Sequence, residues 1–125
     1  MCAAVADYTP DTVSETKIKK CGGEMCITLR RTRDIAAELG AHKDGRLLVG
    51  FALETHDEQA HAEAKLEKKN FDFIVLNSLR DAGAGFRGDT NKVTFIDRSG
   101  REELPLMPKS EVAERIADKI ESLLK

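Results

Sequence analysis

The chain has 125 residues, 41% of them hydrophobic and 34% charged, with 22 acidic side chains against 20 lysines and arginines. That length is enough for one hydrophobic core, so we expect a single domain over residues 1–125. A net charge of −2 argues against nucleic-acid binding, which needs a broad basic surface, and no apolar run reaches the roughly 20 residues of a membrane span. Three cysteines without a signal peptide indicate a cytoplasmic protein.

The first third of the chain alternates apolar runs with polar loops. The opening run, "MCAAVADY", predicts a buried strand that runs out at Asp7, and a domain that starts inside its own core suggests that a preceding segment is missing. "EMCITLRR" at 24–31 alternates as a strand does, and "TRDIAAELG" at 32–40 predicts a short helix that ends at Gly40. The inward side chains of that helix should be Ile35, Ala36 and Leu39.

Two further strands and a helix follow. "LLVGFAL" at 47–53 and "FDFIVLN" at 71–77 are continuous apolar runs, typical of strands covered on both faces. A helix should join them, from Asp57 to about Asn70. After a glycine-rich loop, "KVTFIDRSGREELPLM" predicts a β-hairpin that turns at Ser99–Gly100.

The last element is a helix that should bury Val112, Ile116, Ile120 and Leu123. Strands that alternate with helices indicate an α/β layered fold around a mostly parallel sheet.

Polar or special residues stand where three of the predicted strands end. Asp7 ends the first strand, Phe51 lies towards the end of the third, and Asn77 ends the fourth. Ligands of open α/β sheets bind outside the carboxyl ends of the strands, so these residues are predicted to line one cleft. The alternative is that Asp7 and Asn77 only cap turns.

Two clusters of lysines indicate a ligand with several negative charges. Lys65 and Lys69 lie on one face of the predicted helix, and no acid of that helix stands three or four positions from either. The second cluster lies in "KIKKCGG" at 17–23, beside a flexible glycine pair. A triphosphate would fit both clusters, although neither a P-loop nor a G-x-G-x-x-G fingerprint is present. The alternative is that both are ordinary solvated lysines.

Five stretches resemble one enzyme family, in the same order along the chain: "AAVADY" at 3–8, "KIKK" at 17–20, "GFALET" at 50–55, "KLEKKNFDFIVLN" at 65–77 and "GFRGDTNKVTFI" at 85–96. Together they resemble the carboxyl-terminal part of phosphopantothenoylcysteine synthetase, also called phosphopantothenate–cysteine ligase. This enzyme is commonly the second half of a bifunctional coenzyme A biosynthesis flavoprotein. The resemblance implies a Rossmann-like three-layer fold with a mostly parallel sheet and a β-hairpin extension, without the N-terminal β-α units and without a flavin.

The resemblance also implies a reaction. Family members join 4'-phosphopantothenate to L-cysteine with CTP and Mg²⁺: the carboxylate attacks the α-phosphate, pyrophosphate leaves, and the cysteine amine then displaces CMP from the acyl-cytidylate. A homodimer is implied as well. CTP against ATP stays open, and no residue is assigned to the metal. The main alternative is a non-catalytic nucleotide-binding and dimerisation fragment, inactive without the N-terminal half. An NAD-type oxidoreductase domain rests on fold analogy alone.

The family's functional residues carry over by position. The resemblance implies that Lys17 is catalytic and that Lys65 and Lys69 hold the triphosphate. It implies that Phe51 lines the base pocket and that residues 33–36 read the base through backbone groups. The full implied nucleotide-binding set is Ala3, Asp7, Lys17, Arg33, Asp34, Ile35, Ala36, Phe51, Lys65 and Lys69, with Lys19, Lys20 and Asn77 as further substrate or loop contacts.

Two departures from the family pattern affect this site. The family usually has Asn-Pro-Asp-Ile where this chain reads Thr-Arg-Asp-Ile at 32–35, and because the contacts there are backbone contacts, binding should survive. It usually has an acid where this chain has Ser78, so no role is carried over to that position.

Overall fold

The structure, a computed structural model, describes residues 5–19, 22–54, 57–78 and 88–125, and for Glu54 and Ser78 it describes the backbone alone. The chain divides into two compact units, residues 1–35 and residues 36–125. Each unit is described by itself.

The first unit contains an antiparallel ribbon. Strand β1 (Tyr8–Pro10) pairs with strand β2 (Leu29–Arg31). The guanidinium carbon of Arg31 lies 5.7 Å from the centroid of the Tyr8 ring, so a cation–π contact adds to the backbone pairing.

Both apolar runs of this unit were predicted to be more buried than they are. The buried strand predicted for residues 1–8 is wrong for its described part, since Val5 is 56% exposed, and residues 1–4 lie outside the described residues. The strand predicted over 24–31 shrinks to β2, and Met25 and Ile27 are exposed. A two-stranded ribbon has no second layer within its own unit against which such side chains could pack.

The second unit is built on a four-stranded sheet in the order β3-β4-β6-β7. The elements from Ile35 onwards are α1 (Ile35–Ala41), β3 (Val49–Glu54), α2 (Glu58–Lys68), β4 (Phe73–Ser78), β5 (Thr90–Asn91), β6 (Val93–Asp97), β7 (Gly100–Glu103), β8 (Met107–Pro108) and α3 (Lys109–Leu124). Strands β3 and β4 are parallel, whereas β4–β6 and β6–β7 are antiparallel. The expected mostly parallel sheet is therefore wrong for the described strands, because the hairpin reverses the chain direction.

A helix packs on each face of this sheet. On one face, two side chains of α2 join a buried cluster made of Ala52, Ala62, Leu66, Phe71, Ile74, Leu76 and Ile96. On the other face, α3 contributes to a cluster made of Phe73, Val75, Val93, Phe95, Leu104 and Val112, flanked by Ile116 and Ile120. Alternate residues of β4 and β6 serve opposite clusters, as the two-residue period of a strand requires. The result is a three-layer α/β arrangement.

Among the described strands, β3 lies at an edge of this sheet, and one of its faces is partly open. Gly50 and Ala52 are buried on the α2 side, but Phe51 and Leu53 are 68% and 41% exposed. The expectation that this strand is covered on both faces is therefore wrong for the described residues, because α3 packs over the inner strands and leaves the edge uncovered.

Most of the other predicted elements are confirmed, with small corrections. Asp57 is the N-cap of α2, and the hairpin turns at Arg98–Ser99, one residue before the predicted position. Helix α1 does not end at Gly40, which is buried inside it. Leu39 and Leu123, both predicted to face inward, are 39% and 42% exposed, because each helix buries only the narrow stripe that meets the sheet.

Glycine at position 40 permits the closest backbone approach in this unit. A Cβ atom built on Gly40 would lie 1.9 Å from the carbonyl oxygen of Lys69 and 2.8 Å from its carbonyl carbon. These are backbone atoms at the end of α2, and they cannot rotate away. Helix α1 therefore touches the end of α2 only because residue 40 has no side chain.

Replacing Gly40 by alanine should destabilise the protein by about 1–3 kcal/mol, the usual cost of forcing extra atoms into a packed contact. Gly22→Ala is the matched control, because nothing lies within 4 Å of a Cβ at Gly22. Urea unfolding at pH 7 measures both variants. Equal stability of the two variants would mean that α1 does not touch α2 in solution.

An ion pair joins α3 to the end of β6. Lys119 Nζ lies 2.7 Å from Asp97 Oδ2, and the backbone N–H of Ser99 donates to Asp97 Oδ1 at 2.8 Å. Burial raises the pKa of Asp97, but hydrogen bonds from Lys119 and Ser99 outweigh this effect and lower the pKa from 3.8 to about 2. The charged carboxylate therefore stabilises the folded state above pH 3.8.

Lys119→Met should destabilise the protein by about 1–2 kcal/mol at pH 7, because it removes one charge-assisted hydrogen bond from a partly buried carboxylate. The folded pKa lies below the unfolded one, so the difference from wild type should shrink as the pH falls from about 4 towards 2. Urea midpoints across that pH range measure the effect, with Lys109→Met, on the same helix, as control. A difference that is undiminished at pH 2 would contradict this account.

Candidate functional site

The lysines expected to hold a triphosphate lie along one flank of α2. Lys65 is partly buried, and with His61, Ala64 and Lys68 it lines a shallow pocket of about 300 Å³. Lys69 follows as the C-cap residue of the helix. Neither Lys65 nor Lys69 is without an interaction partner, so the sequence-based expectation that both are unpaired is wrong.

Two acidic side chains of α2, Glu63 and Glu67, lie on the opposite flank. Glu63 and Glu67 line an open cleft of about 420 Å³ between α2 and the β6–β7 hairpin. Arg98 of the hairpin lies 3.5 Å from Glu67 (Nε to Oε1), and Arg101 donates to the side-chain oxygen of Gln59. Basic residues of the hairpin thus partner this polar, acidic flank of α2, and the lysine flank faces away from it.

Lys69 and Asn77 do not lie at the same end of the sheet. Shortly after Lys69, the backbone N–H of Asp72 donates to the carbonyl of Leu48 at 2.8 Å, and Leu48 directly precedes β3. The end of α2 therefore lies at the amino ends of β3 and β4. Asn77 is four residues into β4, about 13 Å further along the strand. The backbone of Lys69 thus lies at the end of the sheet opposite to Asn77.

Asn77 has a partner that the sequence analysis missed. Asn91 Nδ2 donates to Asn77 Oδ1 at 2.6 Å, and Asn91 Oδ1 accepts from the backbone N–H of Lys92 at 3.0 Å. The side-chain amide of Asn91 is thereby held at both ends, and it fixes the orientation of Asn77. The sequence signal that could have pointed to Asn91 is its position within the stretch 85–96, which resembles the family.

Asp7 and the start of the segment expected to read the base are linked within the first unit. The backbone N–H of Thr32 donates to the carbonyl of Asp7 at 3.0 Å, and the Thr32 hydroxyl donates to the carbonyl of Ala6 at 2.7 Å. Arg33 and Asp34 follow immediately, and Ile35 and Ala36 open α1. These bonds hold the backbone of Asp7 next to Thr32, directly before this segment.

The lysine loop of the first unit is exposed. Lys17 and Lys19 are both exposed, whereas Lys20 and Ala3 lie outside the described residues. Gly23 has a φ of +129°, a conformation that only glycine adopts readily. Of the predicted lysine cluster, the structure thus describes Lys17, Lys19 and both glycines of the pair.

Two further properties of the described ranges bear on function. They contain no group of three or more His, Cys, Asp or Glu side chains arranged to hold a metal ion. None of their helices is both long enough and apolar enough to span a membrane.

The model of one protein family matches residues 1–124 of the chain, namely the DNA/pantothenate metabolism flavoprotein C-terminal domain. The chain belongs to this family. Among curated relatives, the bifunctional coenzyme A biosynthesis protein CoaBC of Bacillus subtilis is 48% identical over 98% of this chain and 30% of its own length. Another relative, from an unknown prokaryotic organism, is named cysteine/cysteine sulfinic acid decarboxylase and is 56% identical over 99% of this chain and 35% of its own length. The chain thus spans about a third of these relatives.

Solved structures of the family share the fold. The crystal structure of the C-terminal domain of a CoaBC protein matches with a TM-score of 0.73 and 41% identity, covering 98% of this chain and 52% of that one. The DNA/pantothenate metabolism flavoprotein of Streptococcus pneumoniae matches with a TM-score of 0.72 over 96% of this chain and 60% of that one, at 22% identity.

Phe51 projects from the edge strand into solvent, so Phe51→Ala should change the free energy of unfolding by less than about 0.5 kcal/mol. Phe71→Ala is the matched comparison: Phe71 is 8% exposed, and its loss should cost about 3 kcal/mol or more. Thermal or urea unfolding measures both. A large loss for Phe51→Ala would show that its ring is packed inside the protein.

Proposed function

We propose that this chain is the nucleotide-binding part of a CTP-dependent phosphopantothenate–cysteine ligase of coenzyme A biosynthesis. The observation that carries the proposal is the membership of the family over residues 1–124, together with 48% identity to a CoaBC protein. The lysines on which nucleotide binding would depend, Lys17, Lys65 and Lys69, are all present.

The proposed reaction depends more on neutralising negative charge than on a reactive side chain. When a carboxylate attacks the α-phosphate of CTP and pyrophosphate leaves, negative charge accumulates on the phosphate oxygens. Preorganised cations stabilise that charge, and lysine supplies a compact cation on a mobile stem. Lys65 and Lys69 would bind the triphosphate from α2. Lys17, on an exposed loop, would reach the substrate when the loop closes.

The base would be bound by other parts of the chain. Phe51 offers an exposed aromatic ring for contact with the base. Residues 33–36 would read the base through backbone groups, with the start of that segment held to Asp7 by Thr32. Because backbone groups do the reading, the side-chain change from the family's usual Asn-Pro to Thr32–Arg33 would leave recognition intact.

Mg²⁺ would arrive with the nucleotide. This ion is commonly bound by one or two carboxylates together with substrate phosphates and water. The described residues hold no cluster of three metal-binding side chains, so the phosphate oxygens would supply most of its ligands.

The chain alone should bind the nucleotide without turning it over. It spans only 30% of the B. subtilis CoaBC protein, and the phosphopantothenate and cysteine sites would need the remainder of such a protein. We also propose that the assembled enzyme is a homodimer, in keeping with the family.

A second candidate comes from the relative named cysteine/cysteine sulfinic acid decarboxylase, which is 56% identical to this chain. Its name places a cysteine-type compound among its substrates, and CO₂ would be its product. Pyrophosphate release from CTP with phosphopantothenate and cysteine supports the ligase. CO₂ release from cysteine or cysteine sulfinate, without consumption of CTP, supports the decarboxylase.

Lys65→Ala and Lys69→Ala, each made in the full-length natural protein, should weaken CTP binding by about 10–100-fold, since each removes a charge-assisted contact worth roughly 1.5–3 kcal/mol. Isothermal titration with CTP and Mg²⁺ measures the affinity. Lys109→Ala is the control, because it removes the same charge from α3 on the other face of the sheet. An unchanged affinity in both α2 variants would refute the assignment of the triphosphate to this helix.

A further inference from the structure

Asn70, directly after α2, joins four parts of the second unit. Its side-chain Nδ2 donates to the carbonyl of Gly40 in α1 at 2.9 Å. Its Oδ1 accepts from Arg98 of the β6–β7 turn at 2.9 Å, and its backbone carbonyl accepts from Lys43 at 3.0 Å. One residue thus connects α2, α1, the loop after α1 and the hairpin.

The backbone of Asn70 also sets where Lys69 stops following the helix. Asn70 has a φ of +50°, a left-handed conformation that asparagine tolerates better than most residues other than glycine. Its N–H donates to the backbone carbonyl of Glu67 at 3.2 Å, and the N–H of Phe71 donates to the backbone carbonyl of Leu66 at 3.0 Å. This left-handed residue and these bonds end α2 in a fixed geometry immediately after Lys69.

Gly40 approaches the same point from the other side. The carbonyl oxygen of Lys69 would lie 1.9 Å from a Cβ on Gly40, so the helix α1 leaves no room for the Lys69 peptide to shift towards it. The bond from Asn70 to the Gly40 carbonyl keeps this close contact from opening. Lys69 is therefore held by a steric contact and a side-chain hydrogen bond at adjacent peptides.

A buried ion pair anchors the segment on its far side. Lys43 Nζ lies 2.7 Å from Asp72 Oδ2, and both side chains are about four-fifths buried, with 18% and 20% exposed. The same carboxylate oxygen accepts the backbone N–H of Leu48 at 2.6 Å. Residues 69–72 are thus held at both ends by hydrogen bonds and an ion pair.

We propose that Asn70 is a positioning residue for the triphosphate, acting through Lys69. The inference rests on the proposed function, which assigns Lys69 to the phosphates. Its effect is to keep the Lys69 backbone in place, so that the ammonium group is presented to the nucleotide from a fixed position of the main chain and less binding free energy is lost in ordering the site. The hydrogen bond that Arg98 donates to Asn70 also ties this residue to the β6–β7 hairpin.

The test is a double-mutant cycle with CTP binding as the readout, in the full-length natural protein with Mg²⁺. Asn70→Gly keeps the left-handed backbone and removes both side-chain bonds, and it should weaken CTP binding about 10-fold. In a Lys69→Ala background the same substitution should change CTP affinity by less than about 2-fold, because the group that Asn70 positions is gone. Binding of CMP, which lacks the β- and γ-phosphates, should change little in either background.

Asn70→Asp is the second variant: it keeps the size and the left-handed tolerance of the side chain, but its carboxylate cannot donate to the Gly40 carbonyl. It should behave as Asn70→Gly does. Lys119→Met controls for general destabilisation, since it breaks a hydrogen bond on the opposite face of the sheet and should leave CTP affinity unchanged.

The outcomes distinguish a failure of the role assigned to Asn70 from a failure of the proposed nucleotide binding. If Lys69→Ala weakens CTP binding but Asn70→Gly weakens it equally in both backgrounds, or not at all, Asn70 does not act through Lys69 and the inference is overturned. If wild type fails to bind CTP, or if Lys69→Ala binds CTP as wild type does, then the nucleotide assignment itself has failed and the inference falls with it.

Discussion

The contact on which the arrangement of the second unit depends is the approach of Gly40 to the peptide of Lys69. Helix α1 lies directly against the end of α2 because residue 40 has no side chain, and a bond between Asn70 and the Gly40 carbonyl closes the contact. The ion pair of Lys43 and Asp72 then fixes the entry into β4. Backbone atoms cannot yield as a side chain can, so the end of α2 is placed with little freedom. The backbone of Lys69, the C-cap residue of this helix, is therefore also placed with little freedom.

Charge is distributed around α2 in a way that suits an anionic ligand. Helix residues of like charge usually repel each other when they are one turn apart, yet Lys65 and Lys69 stand on one flank while Glu63 and Glu67 stand on another. The acidic flank faces the arginines of the β6–β7 hairpin, so its charge is met inside the unit. On the lysine flank, a bound polyphosphate would offset the repulsion between Lys65 and Lys69.

The family match and the likeness in fold to a solved structure of the family agree with each other. A ligase that activates a carboxylate with a nucleotide needs cations, a surface for the base and a second substrate site, and this chain supplies residues suited to the first two. The exposed Phe51 and Leu53 on the edge strand β3 form apolar surface that no described part of the second unit covers. The curated relatives are longer, since this chain spans 35% and 30% of their length.

Local periodicity determined the helices α2 and α3 and the hairpin, because a 3.6-residue or 2-residue pattern of apolar side chains is written within each element. The lysine positions and the family likeness could also be recognised from the sequence. Tertiary structure alone decided that the described sheet is mostly antiparallel, that β3 lies at an edge of the described strands, and that Lys69 and Asn77 lie at opposite ends of β4. Strand direction, edge position and the meeting of Gly40, Asn70 and Arg98 all depend on pairings between residues far apart in the chain. No local pattern encodes such pairings, since their free energy exists only once the layers have packed.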